Sequence, residues 1–471
     1  MKDPAELDSA KFLCYYLLSK FLHSSYHWIP SNLSNSYRAK AMEILDTLTN
    51  SIFTFLQLSL ENMDKKQKHY TKLVILDVLF IAMLLIAGSK GKINNLVSFV
   101  SPIPKAFAQK KQAEVFGFAP YWTFDNLQNV DFNTLTTMAY FGITVNADGS
   151  LLTDDQGYQT YHSDHATQVF KKAHSYGTRV VLTLTQMDNN TITALMDNPQ
   201  AQNALISEAL SEVKSQGIDG INVDFEYAGN PGSEYRNKFS TFIKNLTSRF
   251  HAAFPSSYIS VSVYATSVKE GKLYDIAALS KSADSIFMMA YDFAVAGSDN
   301  AIPTDPLYGY KEGKYWYDIS TAVSDFLTQM PASKLILGLP WYGYNYPVNQ
   351  PAVDAQTLPC WYSCEAQTYE LAKNTISSKN TDISNISTGW DDLGKESWKA
   401  YYDENLGTWR MIFIEDAKSL SIKSDFAKSK NLGGVGIWAL GFDKGTNDLW
   451  AVLKDKFGAK LAFASETIQH D

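Results

Sequence analysis

From Glu114 onward the chain repeats one pattern eight times: a short apolar run of strand length, followed in most cases by a longer stretch of helical periodicity. The runs are EVFGFA (114–119), TMAYFG (137–142), RVVLTLT (179–185), GINVDF (220–225), YISVSVY (258–264), SIFMMA (285–290), LILGLP (335–340) and GVGIWAL (434–440). Two intervening stretches read clearly as helices. Residues 200–216 are introduced by Asn198-Pro199, a capping residue followed by the imino acid suited to a first helical position. Residues 233–253 place Phe239, Phe242, Ile243, Leu246 and Phe250 on one face. Parallel strands need a crossover of about a dozen residues or more, usually a helix. Eight such units over ~340 residues predict an α/β fold, a (β/α)8 TIM barrel spanning residues 113–457. The competing architecture, an open doubly wound sheet, usually carries a glycine-rich phosphate loop after an early strand, and none stands here. The interval from Pro340 to Gly434 predicts an insertion between the last strands.

Other kinds of sequence flank the barrel. Residues 1–62 carry two amphipathic stripes (Leu13, Tyr16, Leu17, Phe21, then Ile44, Leu48, Ile52, Phe55, Leu56) and read as a helical N-terminal extension, broken at Ser31-Asn32-Leu33-Ser34. Residues 73–87 are apolar apart from Asp77 and follow Lys65, Lys66, Lys68 and Lys72. A spanning helix needs ~20 residues and at least ~17, so the run is short, but Gly88 extends it. Its basic flank and lack of polar periodicity weigh against a buried core helix. Residues 73–88 therefore read as a transmembrane or signal segment, with the N-terminus cytoplasmic and the barrel extracytoplasmic, either membrane-anchored or secreted. Residues 89–112, with Pro102 and Pro104, read as a linker, and residues 458–471 as a C-terminal tail.

Composition narrows the partners. A formal net charge of −8 argues against nucleic acid, whose binders usually present a basic surface. Aromatics at 13% suit a site for sugars, whose faces stack on rings, although a large aromatic core explains most of them. Cys360 and Cys364 enclose Trp361-Tyr362-Ser363; without nearby His or further Cys they make a poor zinc site. They read as a local disulfide if this part is exported, and as two thiols otherwise. No metal or cofactor motif is visible, and the eight histidines show no H-E-x-x-H spacing.

The chemistry concentrates in Asp219-Gly220-Ile221-Asn222-Val223-Asp224-Phe225-Glu226-Tyr227. Side chains alternate along a strand. Ile221, Val223 and Phe225 then share the face that packs on helices, and Asn222, Asp224 and Glu226 share the face that points into the lumen. The acids fall at the C-terminal end of the strand, where barrel active sites lie. Acids on a strand edge facing water are the bland alternative, but a closed barrel has no free edge. Two acids and an amide in a lumen are costly to bury without a use.

This segment resembles glycoside hydrolase family 18, whose fourth-strand pattern is D-x-x-D-x-D-x-E; Asp219, Asp224 and Glu226 match, and Asn222 departs. Met289-Ala290-Tyr291-Asp292 resembles the family's M-x-Y-D after strand six. Leu339-Pro340-Trp341-Tyr342-Gly343-Tyr344 resembles its seventh-strand P-x-Y-G segment. Trp438 resembles the tryptophan that floors the sugar site. The resemblance implies hydrolysis of β-1,4-linked N-acetylglucosamine polymers, chitin-type or peptidoglycan, by a retaining mechanism in which the substrate's acetamido oxygen attacks. It implies Glu226 as general acid/base, Asp224 as orienter of the acetamido group and Tyr291 as its hydrogen-bond donor. Asp292 and Trp438 would contact sugar, with Asn222, Met289 and Tyr342 also at the substrate site, and no cofactor or metal is implied. Outside these motifs, Tyr121 and Trp122 after strand one, and Trp361 and Tyr362 between the cysteines, read equally as subsite walls or as packing. Burial beside Asp224 is expected to raise the pKa of Glu226, and the Asn222 amide is expected to donate to Asp224.

Strand three carries Leu182-Thr183-Leu184-Thr185-Gln186 where many members have S-x-G-G. With the Trp341–Tyr346 run, the Cys360/Cys364 loop and Ile414-Glu415-Asp416-Ala417-Lys418-Ser419, this leans toward the chitobiase-like and cortex-lytic branches. Two rival classes remain: a non-catalytic, lectin-like N-acetylglucosamine-binding barrel, and a membrane-assembly role centred on residues 1–88. Retained Glu226, Asp224 and Tyr291 argue against the first, and nothing chemical supports the second.

Overall fold

The computed structural model describes residues 113–375 and 382–458. The segments read as a helical extension (1–62), a transmembrane or signal segment (73–88) and a linker (89–112) lie outside the described residues, as does the tail beyond Gly458. Among the described residues no helix is long and apolar enough to cross a membrane.

The strands in chain order are β1 (Glu114–Pro120), β2 (Thr137–Thr144), β3 (Arg179–Gln186), β4 (Gly220–Phe225), β5 (Tyr258–Tyr264), β6 (Ser285–Met289), β7 (Asn300–Ala301), β8 (Leu335–Pro340), β9 (Tyr342–Val348), β10 (Ala355–Gln356), β11 (Glu365–Thr368), β12 (Ile383–Asp391), β13 (Glu396–Asp403), β14 (Thr408–Ile414) and β15 (Gly434–Trp438). Eight of them close a parallel barrel in the order β1-β15-β8-β6-β5-β4-β3-β2. These are the eight apolar runs of the sequence, with ends displaced by at most two residues. The helix Pro199–Gln216 starts where expected: the Asn198 side chain accepts from the amides of Gln200 and Ala201, both at 3.1 Å. The helix Ser233–Ala253 buries its five-residue apolar stripe against the barrel.

Alternation along each strand splits the interior in two. Val115, Val180, Ile221, Val223, Phe225 and Val261 join the layer between strands and helices. Phe116, Phe118, Val181, Tyr258, Phe287 and Ile336 fill the lumen. Phe287 lies between Gly338 and Gly436, where a Cβ would come within 2.5 and 2.1 Å of its ring, so the glycines make room for the lumen's central aromatic. The N-terminal mouth of the barrel is closed by a polar plug. Glu114 accepts from Thr136 at 2.5 Å and from Thr137, and pairs with Arg179 at 3.3 Å; Arg179 covers the Tyr258 ring at 4.0 Å. With that end sealed, only the C-terminal mouth is left open for chemistry.

The predicted insertion is a five-stranded antiparallel sheet of order β11-β9-β14-β13-β12, between barrel strands β8 and β15. Its strands escaped the sequence reading because several are polar; β12 is ISNISTGWD and β11 is EAQT. Tyr346, Val348, Ala400, Met411 and Phe413 give it a small core of its own. One buried ionic cluster ties it to the barrel. The Lys423 ammonium, on the helix Ala417–Ser429, lies 2.6 Å from Asp305, 2.5 Å from Glu415 and 3.8 Å from Glu396, the first residue of β13. All four side chains are fully buried. Among the described residues this is also the one acidic group with metal-ligand spacing, and it closes on an ammonium ion instead.

One cation among three carboxyls leaves negative charge in excess, and burial pushes all three carboxyls up, Glu396 to about 7. Because the folded pKa of Glu396 exceeds its ordinary value, this group's contribution is present at acid pH and is lost as pH rises through about 7. Replacing Lys423 with Met strands the carboxyls without a countercharge, at a cost of about 3–5 kcal/mol near neutral pH. Urea denaturation of Lys423→Met at pH 5 and pH 8 should show the larger deficit at pH 8, because acid neutralises the stranded groups. An equal deficit at both pH values would assign the loss to packing.

Candidate active site

The open mouth holds a cleft with about 360 Å³ of water-accessible space, lined among others by Phe118, Asp224, Glu226, Tyr264, Glu270, Lys272, Met289, Tyr291, Asp292, Phe293, Trp316 and Trp438. That size falls within the ~300–1,000 Å³ of small-ligand sites. Of the sequence-predicted residues, Glu226, Asp224, Tyr291, Asp292, Met289 and Trp438 meet there. Asp219, the first acid of the fourth-strand pattern, lies at the opposite end of the strand. It accepts from the Val180 amide and from His174, each at 2.8 Å, and clasps the barrel's closed end.

Asn222 does not do what its position suggested. Its amide nitrogen donates to Ser262 at 3.1 Å, and its oxygen accepts from Ser260 at 2.8 Å. Both serines face the lumen from β5, which pairs with β4 in register at Asn222 and Ser260. The amide is thus spent sideways on the neighbouring strand, and the expected donation to Asp224 is absent. Asp224 Oδ1 is buried with no hydrogen-bond partner. Burial, with the charge of Glu226 beside it, holds the Asp224 carboxyl well above its usual range. Glu226 is raised chiefly by burial and further by Asp292, against hydrogen bonding from Tyr264. Both carboxyls are thus pushed upward.

Asp292 follows β6 with a left-handed backbone, φ 58°, which directs its side chain toward the insertion. There its Oδ1 accepts from Tyr342 and, at 3.0 Å, from Tyr344. Tyr342 therefore stands behind Asp292 as its anchor and is not a wall of the cleft. Burial raises the Asp292 carboxyl, and the two tyrosine hydroxyls counter it.

Trp438 ends β15 and is held by aromatic rings. Phe141 meets it edge-on at 4.7 Å, Phe118 at 5.4 Å and Trp122 at 6.4 Å. Tyr121 packs against Trp122 at 4.8 Å and is not among the lining residues, so of the pair after β1 it is the half-exposed Trp122 that reaches the floor tryptophan.

Sequence reasoning missed Tyr264, Glu270, Lys272, Phe293 and Trp316. Glu270 and Lys272 follow β5, Phe293 follows β6 and Trp316 follows β7, on connecting segments where no pattern marks a lining residue. Trp316 is half exposed and held by a 2.6 Å hydrogen bond from its indole to the Phe293 carbonyl. Cys360 and Cys364 form a disulfide, the first of the two readings left open for them.

The family model "Glycosyl hydrolases family 18" matches residues 31–443. The chain is 28% identical over 256 residues to a protein named probable di-N-acetylchitobiase 1 from Dictyostelium discoideum, covering 50% of this chain and 65% of that one. It is 26% identical over 312 residues to human di-N-acetylchitobiase, covering 60% and 74%, and 22% identical over 293 residues to a cortical fragment-lytic enzyme of Bacillus subtilis, covering 60% and 61%. The chain thus spans just under two thirds of the Dictyostelium and Bacillus relatives. Among solved structures, the Bacillus cereus spore cortex-lytic enzyme SleL superposes with a TM-score of 0.58 at 19% identity, over 73% of this chain and 74% of that one. A Group IV chitinase of Ostrinia furnacalis in complex with allosamidin gives 0.63 at 19%, over 73% and 97%. At these identities the structural likeness speaks for the fold alone.

The tyrosine anchor of Asp292 makes a titration prediction. Hydroxyl donors favour the ionised carboxylate, so the double variant Tyr342→Phe/Tyr344→Phe should hold the Asp292 proton to higher pH than the unaltered protein. Carbon-13 NMR of labelled aspartate carboxyls, assigned with Asp292→Asn, measures it. A downward or absent shift would mean that the hydroxyls do not govern this carboxyl.

Proposed function

The chain belongs to glycosyl hydrolases family 18, and from that membership we propose that it cleaves β-1,4-linked N-acetylglucosamine chains with retention, using Glu226 as general acid/base and the substrate's own acetamido group as nucleophile. The observation that carries this reading is the juxtaposition, at the one open end of the barrel, of two raised carboxyls, Asp224 and Glu226, with Tyr291 and Trp438. A lone acid would serve many chemistries. An acid whose pKa is raised, beside a second carboxyl, a phenol and an aromatic floor, suits glycoside protonation.

In the first step the acetamido oxygen bonds to the anomeric carbon. The bond from that carbon to the leaving oxygen breaks, and the Glu226 proton passes to that oxygen. Asp224, whose Oδ1 has no protein partner, is free to receive the acetamido N–H, and the negative charge that balances the oxazolinium ion is the one left on the carboxyl pair when Glu226 gives up its proton. Tyr291, partly buried at the cleft, has its hydroxyl held protonated by desolvation and the neighbouring acids and donates to the acetamido oxygen. In the second step water adds to the anomeric carbon and gives a proton to Glu226. The bond from the acetamido oxygen to the anomeric carbon breaks, which restores the acetamide, and the configuration is retained after two inversions. Trp438 stacks beneath the distorted sugar.

Glu226→Gln keeps the shape and cannot yield a proton, so it should lose most of a general acid's ~10²–10⁴-fold contribution, and more where the later base step also fails. Cello-oligosaccharides lack the acetamido nucleophile and should not be cleaved. Release of reducing ends from chitin oligosaccharides, cello-oligosaccharides and purified peptidoglycan, read side by side by mass spectrometry, tests the mechanism and assigns the polymer. Cleavage of the cellulose series at a comparable rate would overturn substrate assistance.

We also place the barrel outside the cytoplasmic membrane, with residues 73–88 as anchor or signal. The apolar run after four lysines and a disulfide suited to an oxidising compartment support this. An impermeant protease added to intact cells should digest the barrel and spare residues 1–62. Protection of the barrel would overturn the placement.

A further inference from the structure

The lumen face of β5 answers that of β4 residue by residue. Ser260 and Ser262 hold Asn222, and two residues further along the same face comes Tyr264, level with Glu226 if the register of Asn222 with Ser260 is continued. Tyr264 and Glu226 line the cleft together, and hydrogen bonding from the Tyr264 hydroxyl is what draws the Glu226 carboxyl down against burial. Tyr264 is itself well supported. Its ring meets Tyr274 at 5.8 Å and 65°, and the Lys272 ammonium, paired with Glu270 at 3.0 Å, lies 5.5 Å from its centroid. The main chain at Glu226 is pinned from both sides as well. Its amide donates to the Gln186 carbonyl of β3 at 2.9 Å, and the buried Tyr274 hydroxyl donates to the Phe225 carbonyl at 2.7 Å.

We propose that Tyr264 is the positioning residue of the acid: its hydroxyl takes one Glu226 oxygen and leaves the other to carry the exchangeable proton toward the glycosidic oxygen. This rests on the reading of Glu226 as general acid/base. The chemistry gives such a donor two tasks. Before proton transfer it decides which carboxyl oxygen bears the proton, and so where that proton points. After transfer it stabilises the carboxylate that must then accept a proton from water. No proton leaves Tyr264 in either step. The groups that face Glu226 are Asp224 on its own strand, Tyr264 and Tyr274 from β5 and the segment after it, Glu270 and Lys272 from that same segment, and Tyr291 and Asp292 after β6. Among them Tyr264 is the group whose hydrogen bond opposes the upward push of burial on Glu226.

The test is Tyr264→Phe in the full chain, which removes one oxygen from a partly exposed ring. Thermal melting first establishes that the variant folds. With a chitin oligosaccharide, kcat should fall about tenfold to a hundredfold through misplacement of the proton, and the alkaline limb of the kcat/KM profile should move to higher pH, because the carboxylate has lost a donor. A residue that only packs would lower kcat and leave that limb in place. An unmoved limb, with or without a fall in kcat, overturns the proposal. Carbon-13 titration of the Glu226 carboxyl, assigned with Glu226→Gln, reads the same donor without turnover. If the unaltered chain and Glu226→Gln turn over equally, the acid assignment fails. The carboxyl titration then still decides on Tyr264: an upward shift in Tyr264→Phe sustains the hydrogen bond, and an unchanged curve overturns it.

Discussion

The seam between β4 and β5 carries the demands of fold and chemistry together. On the outer face Ile221, Val223, Ile259 and Val261 are apolar and fully buried, and they bind the strands to the helical layer. On the inner face Asn222 bonds to Ser260 and Ser262, and Asp224, Glu226 and Tyr264 carry the polar run on to the cleft at the open end. A side-chain period of two makes both faces compulsory: a slip of one residue would send the acids into the helical layer and the valines into the cleft. The glycines that admit Phe287 and the plug around Glu114 and Arg179 serve this arrangement from below, by filling the lumen and closing its far end.

Electrostatics in the cleft follows from that closure. Water reaches the acids only through the open mouth, so burial is the largest influence on Asp224, Glu226 and Asp292 alike, and all three are raised. The protein then moderates each one differently. Asp292 has two tyrosine donors from the insertion, Glu226 has one from β5, and Asp224 Oδ1 has none. This graded supply of hydroxyl donors gives three similar carboxyls three different environments within one cleft. The insertion matters here too, because β9 brings in both tyrosines that hold Asp292, while the cluster around Lys423 holds β13 of the same sheet to the barrel.

The barrel was legible because its strands are apolar on both faces or strictly alternating, and because the helices between them carry caps such as Asn198-Pro199 and stripes such as Phe239 to Phe250. The acids of β4 were legible because a period of two tells which residues share a face. The insertion was visible only as a gap. Its strands bury one side against a small core of ten residues and leave the other side polar, so EAQT and ISNISTGWD give no strand signal of their own. Met289, Tyr291 and Asp292 were found through a local motif, whereas Trp316, Glu270 and Lys272 reach the cleft on loops whose course no periodicity records.

What the sequence alone determined was the set of things governed by local spacing: eight strands, which residues face inward, and which end of β4 bears acids. Which inward-facing residue touches which was decided by tertiary structure, because it depends on the register between strands and not on order within one. Asn222 shows the difference. Along its own strand Asp224 is its neighbour on the lumen face, and spacing alone suggests a hydrogen bond between them. Same-face neighbours two residues apart stand ~6.5–7 Å apart along a strand, whereas the adjacent strand lies ~4.8 Å away. The amide therefore bonds across to Ser260 and Ser262, and Asp224 Oδ1 is left without a partner.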